Sequence, residues 1–246
     1  MSFHALMYHE ILPQREWPAT GPGPVRTAQG VDDVLPASLY VWEKDFVSQM
    51  EFLVEDGFAV VSPQAVVDFY RIGTPLPPRA VLLTFDDLWK GGLRTAYPVL
   101  KRLGLSALAF MVRGWIFEVP QPLKPASPVC LSRGEWEPLG DVFAFANHTD
   151  LLHTRVPGPA LLSVTEEILT ADLRRCEEWT TLKGVFAYPF GVIGPVAPGV
   201  LKRQGFSLAF TTEPGRNDRR SDPLALGRNL VPQGAGLDDF ARILAR

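Results

Sequence analysis

The sequence predicts an α/β fold in which a parallel sheet is covered by helices. Three observations carry that expectation. The apolar runs lack the strict polar alternation of strands with one wet face, amphipathic segments of helical period alternate with them, and 246 residues are enough for one large core. Strands are expected at FHALMYH (3–9), FAVVS (58–62), AVLLTFD (80–86), SALAFMV (106–112) and VFAFANH (142–148), then at GVFAYPF (184–190), FSLAFTT (206–212) and LALGRNLV (224–231). Helices are expected at 43–56, 63–72, 91–103, 132–139, 164–182 and 197–204, with a last one over about 237–245. In the first helix Phe46, Met50, Phe52, Leu53 and Val54 form the apolar side, Glu43, Lys44, Gln49 and Asp56 face water, and Gly57 ends it. About eight strands suit a barrel or a doubly wound sheet, and periodicity does not choose between them.

The stretch 12–38 is rich in Pro, Gly and polar residues and reads as a long loop after the first strand. Loops of that length are uncommon unless they serve function or are mobile. No internal repeat or low-complexity tract appears, so residues 1–246 read as a single domain. Proline is the one excess, 23 of 246 residues against roughly 5% in average proteins.

Charge is nearly balanced, 24 Lys+Arg against 27 Asp+Glu, and no basic run offers a nucleic-acid footprint. Arg216, Arg219 and Arg220 are interrupted by Asn217 and Asp218 and read as a solvated loop. Cys130 and Cys176 form no C-x-x-C pair, which excludes zinc held by thiolates. The opening MSFHALMYHEIL has no basic start or cleavage site, and no apolar run approaches the ~18 residues of a membrane span. As written the chain reads as cytoplasmic, with export open for a shortened sequence.

The polar residues fall at informative places. Asp86 and Asp87 end AVLLTF, His148 ends VFAFAN with His153 five residues on, and His9 ends FHALMY. In a parallel α/β fold the C-terminal strand ends open onto one face, so three distant segments deliver carboxylates and imidazoles to a shared rim. Two His and one Asp are a common three-ligand set for a catalytic divalent ion, zinc above all, and a second carboxylate beside them can take a proton from the attacking water. Adjacent aspartates in an extended strand point to opposite sides, so both reach one site only if the chain turns there. Likewise, five helical residues leave two side chains about 140° apart, so the His pair requires a turn. Singly, an Asp-Asp after a strand is most often a helix cap and a lone His a buried, hydrogen-bonded one; the shared location shifts the balance.

With these residues in view, the chain resembles the polysaccharide deacetylases of the NodB-homology type. LLTFDD (82–87) is similar to the family's TFDDG motif, NHTDLLH (147–153) to its metal-binding His motif, and FAYPFG (186–191) to its Pro-aromatic-Gly motif. LMYHEI, LPPRAVLLTFDD and AYPVLKRLG agree as well, and the resemblance runs from about residue 3 to 231. The five-residue His spacing and the N-terminal Tyr-His are closest to the branch that de-N-acetylates poly-N-acetylglucosamine.

The resemblance implies a distorted (β/α) barrel of about seven parallel strands. It implies Asp86 as general base, Asp87, His148 and His153 as ligands of a divalent ion, and His9 as the acid. Tyr188, Pro189, Phe190 and Gly191 would line the groove, with the Phe190 N–H on the oxyanion. Trp17, Trp89, Trp115 and Phe190 are candidates to stack on sugar, with ordinary loop packing equally good for them. Three departures stand out. Leu88 replaces the usual Gly and is expected to reshape the groove floor. Ala187 replaces the Arg that tunes the base, so that network is expected to be absent. Arg228 stands where a late His normally supplies the acid. An N-acetylated glycan is the expected substrate; an amidohydrolase of small amides and a non-catalytic carbohydrate-binding homologue are the alternatives.

Overall fold

The computed structural model describes residues 1–124, 126–155 and 157–245. Its strands are β1 (Ser2–Tyr8), β2 (Glu10–Leu12), β3 (Tyr40–Trp42), β4 (Ala59–Val60), β5 (Ala80–Asp86), β6 (Ala107–Met111), β7 (Phe143–Asn147), β8 (Val185–Ala187), β9 (Leu208–Phe210), β10 (Arg216–Asp218) and β11 (Asn229–Leu230). Seven α-helices accompany them: α1 (Glu43–Glu55), α2 (Pro63–Arg71), α3 (Lys90–Leu103), α4 (Arg133–Trp136), α5 (Glu166–Glu177), α6 (Ala197–Arg203) and α7 (Leu237–Ala245).

The main sheet runs β10-β1-β5-β6-β7-β8-β9 and curls into a half-barrel, with β4 on β5 and β11 on β1 beside that path. Every pairing in it is parallel except β1 with β10. The distorted-barrel expectation therefore holds, with one antiparallel edge. That edge, β10, contains Arg216, which the sequence places in a solvated loop. The correction has a physical reason, since a three-residue polar strand carries no apolar period and forms only because β1 offers its edge.

Period-two alternation divides the sheet's side chains between two cores. Val81, Leu83 and Phe85 of β5 join Leu6 and Tyr8 of β1 under α1, α3 and α7, whereas Ala80 and Leu82 join Phe3, Ala5, Leu108 and Phe110 on the other face. Asp86 thus continues the row of Ala80, Leu82 and Thr84, and His148 that of Ala144 and Ala146. Their placement follows from strand geometry alone.

Other elements are trimmed. The strand expected at 58–62 shrinks to Ala59–Val60, that at 224–231 to Asn229–Leu230, and the helix expected at 164–182 ends at Glu177. In α1, Gln49 is buried rather than wet, because it accepts from the Tyr8 hydroxyl (3.1 Å) and donates to the Ala235 carbonyl (2.8 Å), while Val54 is exposed. The stretch 12–38 contains 3-10 turns at Gln14–Glu16 and Ala37–Leu39 and has a small core of its own. There Leu12, Val25 and Leu35 pack with Tyr40, Trp89 and Trp115.

Candidate active site

His9, Asp86, Asp87, His148 and His153 all line one cavity of about 690 Å³ at the C-terminal rim of the sheet, a volume within the ~300–1,000 Å³ usual for small-molecule sites. Trp89, Trp115, Tyr188, Phe190, Gly191 and Arg228 share it, and the stretch after β2 adds Val25, Asp33, Leu35 and Leu39. At the mouth, Arg155 lies 3.5 Å from Asp33 and 4.2 Å over the Phe190 ring.

Local backbone geometry brings the groups together. Asp87 and Leu88 have φ of 71° and 54°, so the chain turns sharply after β5 and swings Asp87 back beside Asp86. Thr149 (79°) and Phe190 (59°) are left-handed too, so four of the six described non-glycine residues with positive φ belong to this site. Strain of that kind persists only where the surroundings impose it, and it gathers at functional sites. Leu88 departs from the expectation for it. Its side chain is fully buried in the core under α1 and α3, so it holds the turn from behind and does not shape the groove floor.

Three ligand-type atoms converge. One atom each from Asp87, His148 and His153 lie within 4.8 Å of one another, and all three residues are buried. Asp87 Oδ1 is 3.7 Å from His148 Nε2 and 3.5 Å from His153 Nε2, with no hydrogen-bond partner of its own among the described residues. His148 Nδ1 is 2.7 Å from the Ala187 carbonyl, which can only accept, so Nδ1 carries the proton and Nε2 turns its lone pair inward. Burial holds both imidazoles below the usual histidine range, and His148 lowers His153 further. Neutral imidazoles beside a carboxylate are the donor set of a divalent cation, so these residues fit a metal ion. Trp89 Nε1 donates to Asp87 Oδ2 at 3.0 Å and Trp89 is 1% exposed. Trp89 is therefore no sugar platform; it aims a candidate ligand. Trp115 is also buried, edge-on to His153 at 4.5 Å, and Trp17 packs on Tyr40 and Trp42. Of the four stacking candidates only Phe190 keeps a half-buried ring at the cavity, 4.3 Å from His153.

Asp86 lives in a different environment. Arg228 reaches it with both Nη atoms, at 2.6 Å to Oδ1 and 2.8 Å to Oδ2, and anchors its own Nε on the Thr211 carbonyl at 2.9 Å. Burial pushes the Asp86 carboxyl up, but Arg228, His148 and His9 together outweigh it and hold the group below the usual carboxylate range. Asp87 is pushed the other way, upward, by burial and then by the neighbouring Asp86. Position 187 carries no arginine and supplies no such network, yet a guanidinium still reaches the Asp86 carboxylate. The guanidinium comes from just before β11 instead of from position 187, a substitution in space that the sequence does not display.

His9 stands 3.8 Å from Asp86 through Nε2, and burial lowers it to about 4, leaving it neutral at rest. Its backbone is wedged against α3. The Glu10 carboxyl accepts the N–H of Ile11 (3.0 Å) and lies where a Cβ on Gly91 would be, and a Cβ on Gly92 would collide with the His9 carbonyl. Tyr188 is buried and spends its hydroxyl on the Leu224 carbonyl at 2.9 Å. The Phe190 N–H has no hydrogen-bond acceptor among the described residues.

A curled parallel sheet with a buried Asp-His-His cluster at its C-terminal rim, beside a second carboxylate, fits a hydrolase of the deacetylase class. The chain belongs to the polysaccharide deacetylase family, whose model matches residues 73–208. It is 25% identical over 207 residues to the poly-beta-1,6-N-acetyl-D-glucosamine N-deacetylase of Staphylococcus aureus strain MSSA476, covering 79% of this chain and 69% of that one. IcaB from Ammonifex degensii superposes with a TM-score of 0.73 at 26% identity, covering 99% and 96% of the two chains. The Streptococcus pyogenes deacetylase PplD, in complex with acetate, shares the fold at a TM-score of 0.78 and 18% identity, with 99% and 98% covered. The chain sides with the poly-N-acetylglucosamine deacetylase-like branch. No described helix is long and apolar enough to cross a membrane.

Proposed function

We propose that residues 1–246 act as one domain, a metal-dependent deacetylase that releases acetate from N-acetylated glycan, with a poly-N-acetylglucosamine-type chain the first substrate to try. The observation that carries this reading is the pairing of the Asp87-His148-His153 cluster with an ionised, arginine-held Asp86 in one cavity. Asp87, His148 and His153 would hold the ion, and the two imidazoles with one carboxylate favour zinc. When bound, the ion would supply Lewis acidity at the acetyl carbonyl and lower the pKa of nearby water.

The chain's own groups then divide the proton work. Asp86, ionised at neutral pH, accepts the proton as the water oxygen bonds to the acetamide carbon. The unspent Phe190 N–H is available to the carbonyl oxygen as it gains negative charge. His9, neutral at rest and 3.8 Å from Asp86, takes that proton from Asp86 and delivers it to the amine nitrogen as the C–N bond breaks, which returns both groups to their starting state. Acetate and the free amine result. The test is acetate release from N- and O-acetylated glycans and small amides, after chelator stripping and after return of zinc. Zinc-dependent release from N-acetylated glycan is expected; release from small amides alone, or from no substrate, would refute the assignment.

A further inference from the structure

His148 and His153 meet because the loop between them is tied down, and the tie comes from another element. The N–H of Asp150 donates to Asp172 Oδ1 and the N–H of Leu151 to Asp172 Oδ2, each at 2.8 Å. The N–H just before them, on Thr149, donates to Asn147 Oδ1 at 2.9 Å. Three consecutive backbone donors between the two imidazoles are thus taken up by side chains, where no helix or strand could use them. The Asp150 carboxylate is held in turn by Arg113 (2.9 Å) and Arg175 (2.7 Å).

Asp172 is a costly choice for its position. It is 1% exposed and lies on the inward face of α5 among Leu169, Leu173 and Cys176. An apolar residue would pack there without the penalty of burying a carboxylate. The two successive N–H groups each reach a different oxygen, and a carboxylate offers both where an amide would turn an NH2 toward one of them. The geometry points to Asp172 as a positioning residue for the metal-binding loop: it sets the turn that makes a five-residue spacing work, and so tunes ion affinity without touching the ion. This rests on the reading of Asp87, His148 and His153 as ligands.

The test compares the native chain with Asp172→Asn and with Arg174→Ala, a change on the exposed face of the same helix, after metal stripping. Zinc affinity is measured by chelator competition, and amide hydrogen exchange is followed at Asp150 and Leu151. Asp172→Asn is expected to weaken zinc by ~10–100-fold, the range typical for partners that orient metal ligands, and to speed exchange at both amides. Its turnover should recover at saturating zinc, which a general loss of structure would not allow. Arg174→Ala should match the native chain. A folded Asp172→Asn with native zinc affinity would overturn the proposal. If that variant does not fold, the native chain decides: zinc must slow exchange at Asp150 and Leu151, because coupling between loop order and binding is reciprocal. Unchanged exchange there overturns the proposal too. A native chain that binds no zinc would instead refute the ligand assignment itself.

Discussion

Asp86 and Asp87 are neighbours in sequence, yet the two corners of the site treat them in opposite ways. The Asp86 corner supplies cations: a bidentate Arg228, with His9 and His148 nearby, keeps the carboxyl low. The Asp87 corner supplies lone pairs: two neutral imidazoles face an oxygen that has no donor, and burial drives the carboxyl up. One carboxylate is balanced by the protein itself and stays ionised, as the proposed proton work requires. The other is left unbalanced by the protein, and on the proposed reading a cation would complete it. The lesson is that role follows from the partner each carboxylate is given, not from residue type.

The largest test of this division removes a lone pair. His148→Ala should reduce metal content from near stoichiometric to background and activity with it, while Asp86 keeps its arginine; elemental analysis decides, and unchanged stoichiometry would refute the ligand role. Next in size, Asp86→Asn should leave metal content unchanged and lower turnover by ~10²–10⁴-fold, the range of general acid–base effects. A variant with near-native turnover would remove Asp86 from the proton path. The two changes together separate the corners: one loses the ion, the other loses the chemistry.

A smaller effect is expected from Arg228→Lys, which keeps the charge but loses the planar fork. Charge-assisted hydrogen bonds are worth about 1.5–3 kcal/mol, so turnover should fall by roughly 10–100-fold with metal content intact. The sign of the pH effect follows from the same contact. Arg228 holds Asp86 low against burial, so weaker pairing lets its pKa rise, and the acidic limb of the kcat/KM profile should move to higher pH. A limb that stays in place, or moves to lower pH, would show that Arg228 does not set the ionisation of Asp86.

How much of this was legible follows from distance along the chain. AVLLTFDD announces its strand and its acidic end locally, and the structure then sets Asp86 in the row of Ala80, Leu82 and Thr84. The need for a turn at Asp87 was legible too, and φ of 71° provides it. The pairing of Arg228 with Asp86 is not legible in the sequence, because the two lie 142 residues apart and Arg228 sits in a segment with no period of its own; only the sheet makes them partners. The His-pair turn was foreseen as a requirement, but its tie, Asp172, sits on an unremarked helix face. Leu88 is expected at the groove floor but turns into the core, because position alone does not say which way a side chain points after a left-handed residue; Trp89 does line the cavity, with its indole spent on Asp87.

Trp89 gives the smallest and most discriminating test of the Asp87 corner. Its ring packs against Trp115 at 5.4 Å, and its Nε1 donates to Asp87 Oδ2 at 3.0 Å. Phenylalanine keeps an aromatic ring in that packing and removes the donor, so Trp89→Phe isolates the hydrogen bond from most of the buried surface. Without it, Asp87 Oδ2 loses its one fixed partner in the cavity and the carboxylate can rotate away from the imidazoles. The same bond also draws the Asp87 carboxyl downward against burial, so its loss should let that group rise further and bind protons in competition with the cation. Zinc affinity should fall by about tenfold, roughly 1.4 kcal/mol, and more steeply at acidic than at neutral pH. Chelator competition across that range checks it. An equal loss at every pH would mean that the indole N–H only orients the carboxylate and does not set its proton balance, and no loss at any pH would mean that the indole only packs.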